Sequence, residues 1–248
     1  MTTTGLLDYI ALVAILLVEP VMSWLWYWPR CMRAIRERIP GTRARLYGVT
    51  IATLWVFTLY ILALWIAEGR PWSALRLDSA GPLRLGIGAL LVAGTIAFFL
   101  QQARKVQKAL ARPKVVARLR ETFSFADPFV PQTSGERRGF WMVSISAGIC
   151  EEIVYRGFLM GLIAAWLGVV PAVILSSIIF GCVHVYLGVA QVPRVAIIGL
   201  VLALVVVASG SLWPAMIIHA AIDMSSGETG FRVGRAASAA PEAAPVTS

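Results

Sequence analysis

Apolar residues run through this chain in long blocks, not in the spaced stripes of a soluble helix or the alternation of a half-buried strand. Windows of about 20 predominantly apolar residues predict membrane-crossing helices over roughly 5–28, 47–67, 84–103, 139–165, 168–187, 191–209 and 211–226. The second and sixth are the cleanest, the sixth reading "VAIIGLVLALVVVASG". Glu19-Pro20 interrupts the first block and predicts a kink there, because proline removes a backbone donor and crowds the preceding turn. The seventh is short, and "GSLWP" before it reads as a turn whose proline opens the last helix. The expected fold is all-α: a polytopic transmembrane helical bundle of about seven spans, eight being the upper count.

The polar positions between the blocks are unevenly signed. Six arginines (Arg30, Arg33, Arg36, Arg38, Arg43, Arg45) lie between the first two spans, and nine basic residues lie between the third and fourth, from Arg104 to Arg138. The loop between the second and third carries Arg70, Arg76 and Arg84, offset by Glu68 and Asp78. With seven spans, Arg194, Arg232 and Arg235 fall on the side of the two basic loops, giving 18 basic residues on one side against 3 on the other. The positive-inside rule then puts the N-terminus outside and the basic loops in the cytoplasm. Within the second basic loop, "RKVQKALARPKVVARLRE" repeats apolar positions at helical spacing. That pattern fits both a segment lying on anionic lipid and an ordinary solvated loop.

Composition agrees with the blocks. Of 248 residues, 58% are hydrophobic and 14% charged, with mean hydropathy +0.77, whereas a soluble domain carries roughly 25% charge. The net charge of +9 belongs to the loops, and no soluble basic domain is left to bind nucleic acid. Cys31, Cys150 and Cys182 are widely spaced and imply neither a disulfide framework nor a CxxC metal site. An excess of Arg over Lys points to a bacterial inner membrane. Three regions are expected: residues 1–138, N-terminal transmembrane helices with basic cytoplasmic loops; 139–226, helices bearing the chemistry; and 227–248, a disordered Ala/Pro/Ser-rich cytoplasmic tail.

Few ionisable residues sit at membrane depth, where each costs at least ~2.5 kcal/mol and marks a functional site by default. They are Glu151, Glu152 and Arg156 in the fourth span, His184 in the fifth, and His219 and Asp223 in the seventh; both histidines of the chain are among them. Glu152 and Arg156, four residues apart with the acid first, form a self-neutralising pair. Glu151 is left as an acid without a local partner, suited to act as a base. His219 and Asp223 share one helix face, as do Phe180 and His184, and Gly148, Gly157, Gly161 and Gly181 allow close backbone approach. The three helices can bring these groups together in a cavity open to the cytoplasm.

Two mechanisms fit this set. In one, Glu151 and His184 activate a water that attacks a peptide carbonyl while the seventh span stabilises the oxyanion. In the other, His184, His219 and a carboxylate, Glu151 or Asp223, hold a divalent metal such as zinc. Neither an HExxH motif nor a pair of intramembrane aspartates is present.

Three segments carry a resemblance. "EEIVYRG" is similar to an EExxxR motif, "FGCVH" to FxxxH, and "SLWPAMIIHAAID" to HxxxN or HxxxD after a Ser-Leu-Trp-Pro lead. In this order, over residues 148–225, they resemble the CPBP family of CAAX prenyl endopeptidases and bacteriocin-processing, or Abi, membrane proteins. The resemblance implies hydrolysis of a peptide bond in a membrane-associated protein or peptide. It implies Glu151 as general base with His184, His219 and Asp223 in substrate or oxyanion contact, and Arg156 as structural partner of Glu152. The family has been described both as metal-dependent and as metal-independent glutamate proteases. Asp223 stands where the better-studied members have Asn, and an ionised aspartate cannot donate to an oxyanion; orienting His219 is the role expected of it instead. Two further classes use such residues: a non-catalytic Abi-type scaffold or immunity protein, and a proton- or ion-coupled transporter.

Overall fold

The computed structural model describes residues 5–78, 81–123 and 129–239, and among these every regular element is helical. Eight helices follow in order: α1 Leu6–Arg36, α2 Thr42–Ala67, α3 Pro82–Ala109, α4 Pro113–Phe123, α5 over 134–167, α6 Val169–Val183, α7 Val192–Ser209 and α8 Leu212–Ala239. Their outer faces are apolar and exposed, as at Leu83, Leu90, Val170 and Ile197. In water such a surface would be a large liability; in lipid it is the solvent-matched face. The chain is an integral multi-pass membrane protein.

Four helices qualify as spans by length and apolarity alone: α1, α2, α3 and the Val189–Ser209 segment. The other three apolar blocks fall short for reasons that concern function. Glu151, Glu152 and Arg156 interrupt the apolar run of α5, α6 is only 15 residues long, and His219 and Asp223 dilute α8. The helices that test worst as lipid-facing spans are the ones that carry the polar inventory.

Several boundaries differ from expectation. The first span does not break at Glu19-Pro20: α1 stays helical throughout, with wider π turns at Ala14–Val18 and Ser23–Tyr27 on either side of the proline. A π turn inserts one extra residue and, like proline, is a recognised place for a helix to change direction. The fifth span ends at Val183, not 187; His184 caps it, and 3₁₀ turns at Val185–Leu187 and Val189–Gln191 lead into α7. Nor is the tail disordered from 227: α8 continues through Ala239, with Phe231 and Val233 buried, Gly227 against Phe140 and Gly230 against Val130. Low-complexity composition begins only at Gly234, and residues 240–248 lie outside the described residues. The basic segment 104–138 extends α3 and forms α4, which packs on α8 with Val116 buried.

On the side of the bundle away from the basic loops, Arg70 ties α1 to the end of α2. Its Nη1 and Nη2 donate to Asp8 Oδ1 and Oδ2 at 2.9 and 2.6 Å, it also pairs with Glu68, and it lies over the Trp65 ring. Sequence spacing suggests Glu68 as a partner for Arg70, but Asp8, 62 residues away, is visible only in three dimensions.

Close contacts at two glycines set the distance between the site-bearing helices. A Cβ on Gly181 would lie 2.6 Å from Val192 O and 2.8 Å from Ala196 Cβ; one on Gly148 would lie 2.7 Å from Met216 O. Both clashes involve the neighbouring helix's backbone, which cannot turn aside as a side chain could. Gly181→Ala is therefore expected to lower stability by about 1–3 kcal/mol, read as a reduced denaturation midpoint in micelles. Gly94→Ala on α3, where nothing lies within 4 Å of the new methyl, should leave it unchanged.

Candidate active site

Residues Glu152–Leu159 of α5 form a π segment in which all eight side chains are buried. A helix enclosed on every side is the centre of its bundle, and π segments recur at functional sites because they re-aim side chains out of regular register. Glu151 stands immediately before this segment, so adjacent acids leave the helix in different settings.

Glu152 is wholly buried, and its Oε1 accepts from Arg156 Nη1 at 2.9 Å and from His219 Nδ1 at 2.8 Å. Arg156 in turn donates from Nη2 to Gly199 O on α7 at 3.1 Å, and its guanidinium lies 4.2 Å over the Phe180 ring. The expected Glu152–Arg156 pair is present, but it is one half of a network that also grips α7 and α8. Such a network turns two costly charges into a joint between helices.

Glu151 is different. Its Oε2 is buried without a hydrogen bond, facing His184 Nε2 at 3.9 Å and His219 Nε2 at 3.8 Å. These separations are too long for hydrogen bonds, and a contact of this length between polar atoms is one that a bridging water can fill.

The tautomers follow from the partners. His184 Nδ1 lies 2.7 Å from Phe180 O; a carbonyl oxygen only accepts, so Nδ1 carries hydrogen and Nε2 presents its lone pair toward Glu151 when the ring is neutral. His219 Nδ1 likewise donates to the Glu152 carboxylate, which leaves Nε2 directed between Glu151 and Asp223. Asp223 Oδ2 is 3.8 Å from His219 Nε2, and its side chain is 36% exposed, the most open of the group. Orientation of His219, expected of Asp223, is carried instead by Glu152 at Nδ1.

All six residues singled out in the sequence converge here. Two further participants have no role in the sequence reading: Phe180, noted there only for sharing a face with His184, and Glu19. Phe180 is the hub of the ring contacts, with centroids 4.7 Å from His184, 5.9 Å from His219 and 5.1 Å from Tyr155. Its place as the first residue of "FGCVH" was the available signal. Glu19 on α1 lies within electrostatic range of Glu151 and His184; the cost of an acid at mid-span, applied to α5, would have flagged it equally well.

For a metal, the donor set has the right chemistry but not the right closeness. Among the described residues no three or more of His, Cys, Asp and Glu group so as to hold one. Ligand atoms bound to zinc at about 2.0–2.2 Å sit closer together than the 3.8–3.9 Å separations found here. The difference from the edge of a tetrahedral zinc site, roughly 3.4 Å, is a few tenths of an ångström.

Fold and site thus define a multi-pass helical membrane protein with a buried acid–histidine centre. Residues 136–225 match the family described as Rce1-like, type II CAAX prenyl endopeptidase, consistent with a CPBP-family protease and supporting a CAAX protease-like enzyme. The matched stretch spans α5 to α8 and contains every residue of the centre except Glu19. No curated protein and no solved structure matches the chain.

Proposed function

We propose that the protein is an intramembrane endopeptidase of glutamate type, hydrolysing a peptide bond of a membrane-associated protein or peptide. The observation that carries this reading is Glu151 Oε2, buried without a hydrogen bond and facing the Nε2 atoms of two histidines. Glu151, aided by the free Nε2 of His184, takes a proton from a water that attacks the scissile carbonyl. His219, held at Nδ1 by Glu152, presents Nε2–H as an imidazolium to the oxyanion, a role that an ionised Asp223 could not fill. Glu151 then returns its proton to the leaving amine. Arg156, donating to Glu152 Oε1, holds that carboxylate in place.

With the basic loops assigned to the cytoplasm, the site opens inward on the side of Asp223, and those loops meet anionic lipid. A bacterial inner membrane suits this arrangement. The scaffold reading leaves Glu151 without a reason to be kept beside two histidines, and the transporter reading finds no inverted repeat in the sequence, the polar groups converging in one half.

The test is comparative proteomics of membranes from wild-type and His184→Ala strains, followed by cleavage of the recovered substrate with purified protein before and after chelation. A substrate that accumulates uncleaved in the variant, and is cut equally well after chelation, is the expected result. Activity lost on chelation and restored by zinc would replace the glutamate mechanism with a metal-dependent one. Identical proteomes would sink the protease reading.

A further inference from the structure

Helix α1 lies outside the stretch that matches the family, yet it closes one wall of the site. Its inward stripe repeats every four residues: Ala11 and Ile15, both buried, then Glu19, Ser23 and Tyr27, all partly buried, then buried Cys31. A spacing of four would drift around an α-helix of 3.6 residues per turn, but the two π turns offset the drift. The wide turns on either side of Pro20 thus keep one face of α1 inward for its full length.

That face meets the catalytic helices. Ala11 and Ile15 pack in one cluster with Tyr155, Phe158 and Phe180. Further along, the Trp28 ring stands edge-on to Tyr186 at 5.2 Å, and Tyr186 lies 5.7 Å from His184. Between these anchors stands Glu19, within electrostatic range of Glu151, His184, Tyr155 and Tyr186.

The other acids of the site face cations or histidines: Glu152 meets Arg156 and His219, Glu151 meets both histidines, and Asp223 meets His219. Among the described residues Glu19 makes no ion pair within 4.0 Å, and its one hydrogen bond is from the Ser23 hydroxyl to Oε1 at 2.7 Å, with His184 in electrostatic range but not in contact. A hydroxyl supplies one hydrogen bond and no charge, while Glu151 adds like-charge repulsion. An acid kept at mid-span under those conditions is matched by something the resting protein does not supply.

We infer that Glu19 is a specificity-determining residue, receiving a cationic side chain of the substrate, lysine or arginine, beside the scissile bond. This rests on the endopeptidase reading for the word substrate, but not for the binding itself. A lysine entering from the bilayer gains an ion pair where its own desolvation would otherwise oppose insertion, so the charge selects for substrates that carry it.

The experiment measures binding of three fluorescent apolar peptides, identical except for a central lysine, norleucine or glutamate, to the Glu151→Gln protein in nanodiscs. The lysine peptide should bind at least about tenfold tighter than the norleucine peptide. Glu19→Gln in the same background should bring the two within about twofold, and Glu19→Lys should favour the glutamate peptide. Equal binding of lysine and norleucine peptides, or a preference that survives Glu19→Gln, overturns the inference, as does a preference abolished by chelator, which would assign the cation to a metal. A lysine preference that depends on Glu19, with no cleavage of that peptide by wild-type protein, upholds Glu19 and overturns the endopeptidase reading instead.

Discussion

Glu151→Gln should reduce kcat by roughly a hundred- to ten-thousand-fold, the range of general acid–base catalysis, with no loss of stability. The two halves of this expectation have one cause. Glu151 Oε2 is buried and accepts no hydrogen bond, so the carboxylate carries a desolvation cost that the two histidines, 3.8 and 3.9 Å away, offset only in part. Glutamine keeps the shape and removes the charge, and the denaturation midpoint should hold or rise. A residue whose neutralisation leaves the protein at least as stable but inactive was held in place by its chemistry. Cleavage of the substrate in nanodiscs and denaturation in micelles check the two halves separately. A Glu151→Gln protein with wild-type turnover would remove Glu151 as the base. A strongly destabilised one would mean that the acid has a structural partner after all.

How much of this was legible beforehand depended on whether the signal was local. The apolar blocks revealed the helical bundle because a bilayer demands a fixed length of apolar chain. Glu152–Arg156 was legible because its partners lie one helical turn apart. The convergence of α5, α6 and α8 was expected from charge at membrane depth, and the six residues do lie together.

What escaped was non-local or depended on backbone detail. Nothing at Glu152 says that its carboxylate also takes the proton of His219, 67 residues away, and so Asp223 was given the orienting role. The end of α6 at Val183 depends on how the chain turns at His184 and Gly188, the latter at φ 108°. That turn frees the imidazole to reach Phe180 O. The irregularity at Glu19-Pro20 was legible, but not the two π turns that flank it, and Glu19 was read only as part of that interruption. Composition overstated the tail, because Gly227 and Gly230 at its start are sites of close packing against Phe140 of α5 and Val130.

The largest effect on stability is expected at Arg156. Arg156→Ala strands the Glu152 carboxylate, fully buried, beside Glu151, and removing one partner of a buried pair costs about 3–5 kcal/mol. Arg156→Lys should rescue only in part: an ammonium can reach Glu152, but it lacks the planar fork that also donates to Gly199 O and lies over Phe180. The informative variant is the double one, Glu152→Gln with Arg156→Met. It deletes both charges, keeps an amide oxygen to accept from His219 Nδ1, and fills the arginine's volume with an apolar chain. Exchanging a buried ion pair for well-packed neutral groups is often neutral or stabilising, so the double variant should regain most of the stability that Arg156→Ala loses. It should nevertheless be a poor enzyme, because a neutral amide supports an imidazolium at His219 far less than a carboxylate does. Denaturation midpoints for the three proteins, set beside their kcat values, separate the two contributions of one ion pair. A double variant that is both stable and fully active would show that the charge on Glu152 has no part in the chemistry, and that the pair serves only to join α5 to α7 and α8.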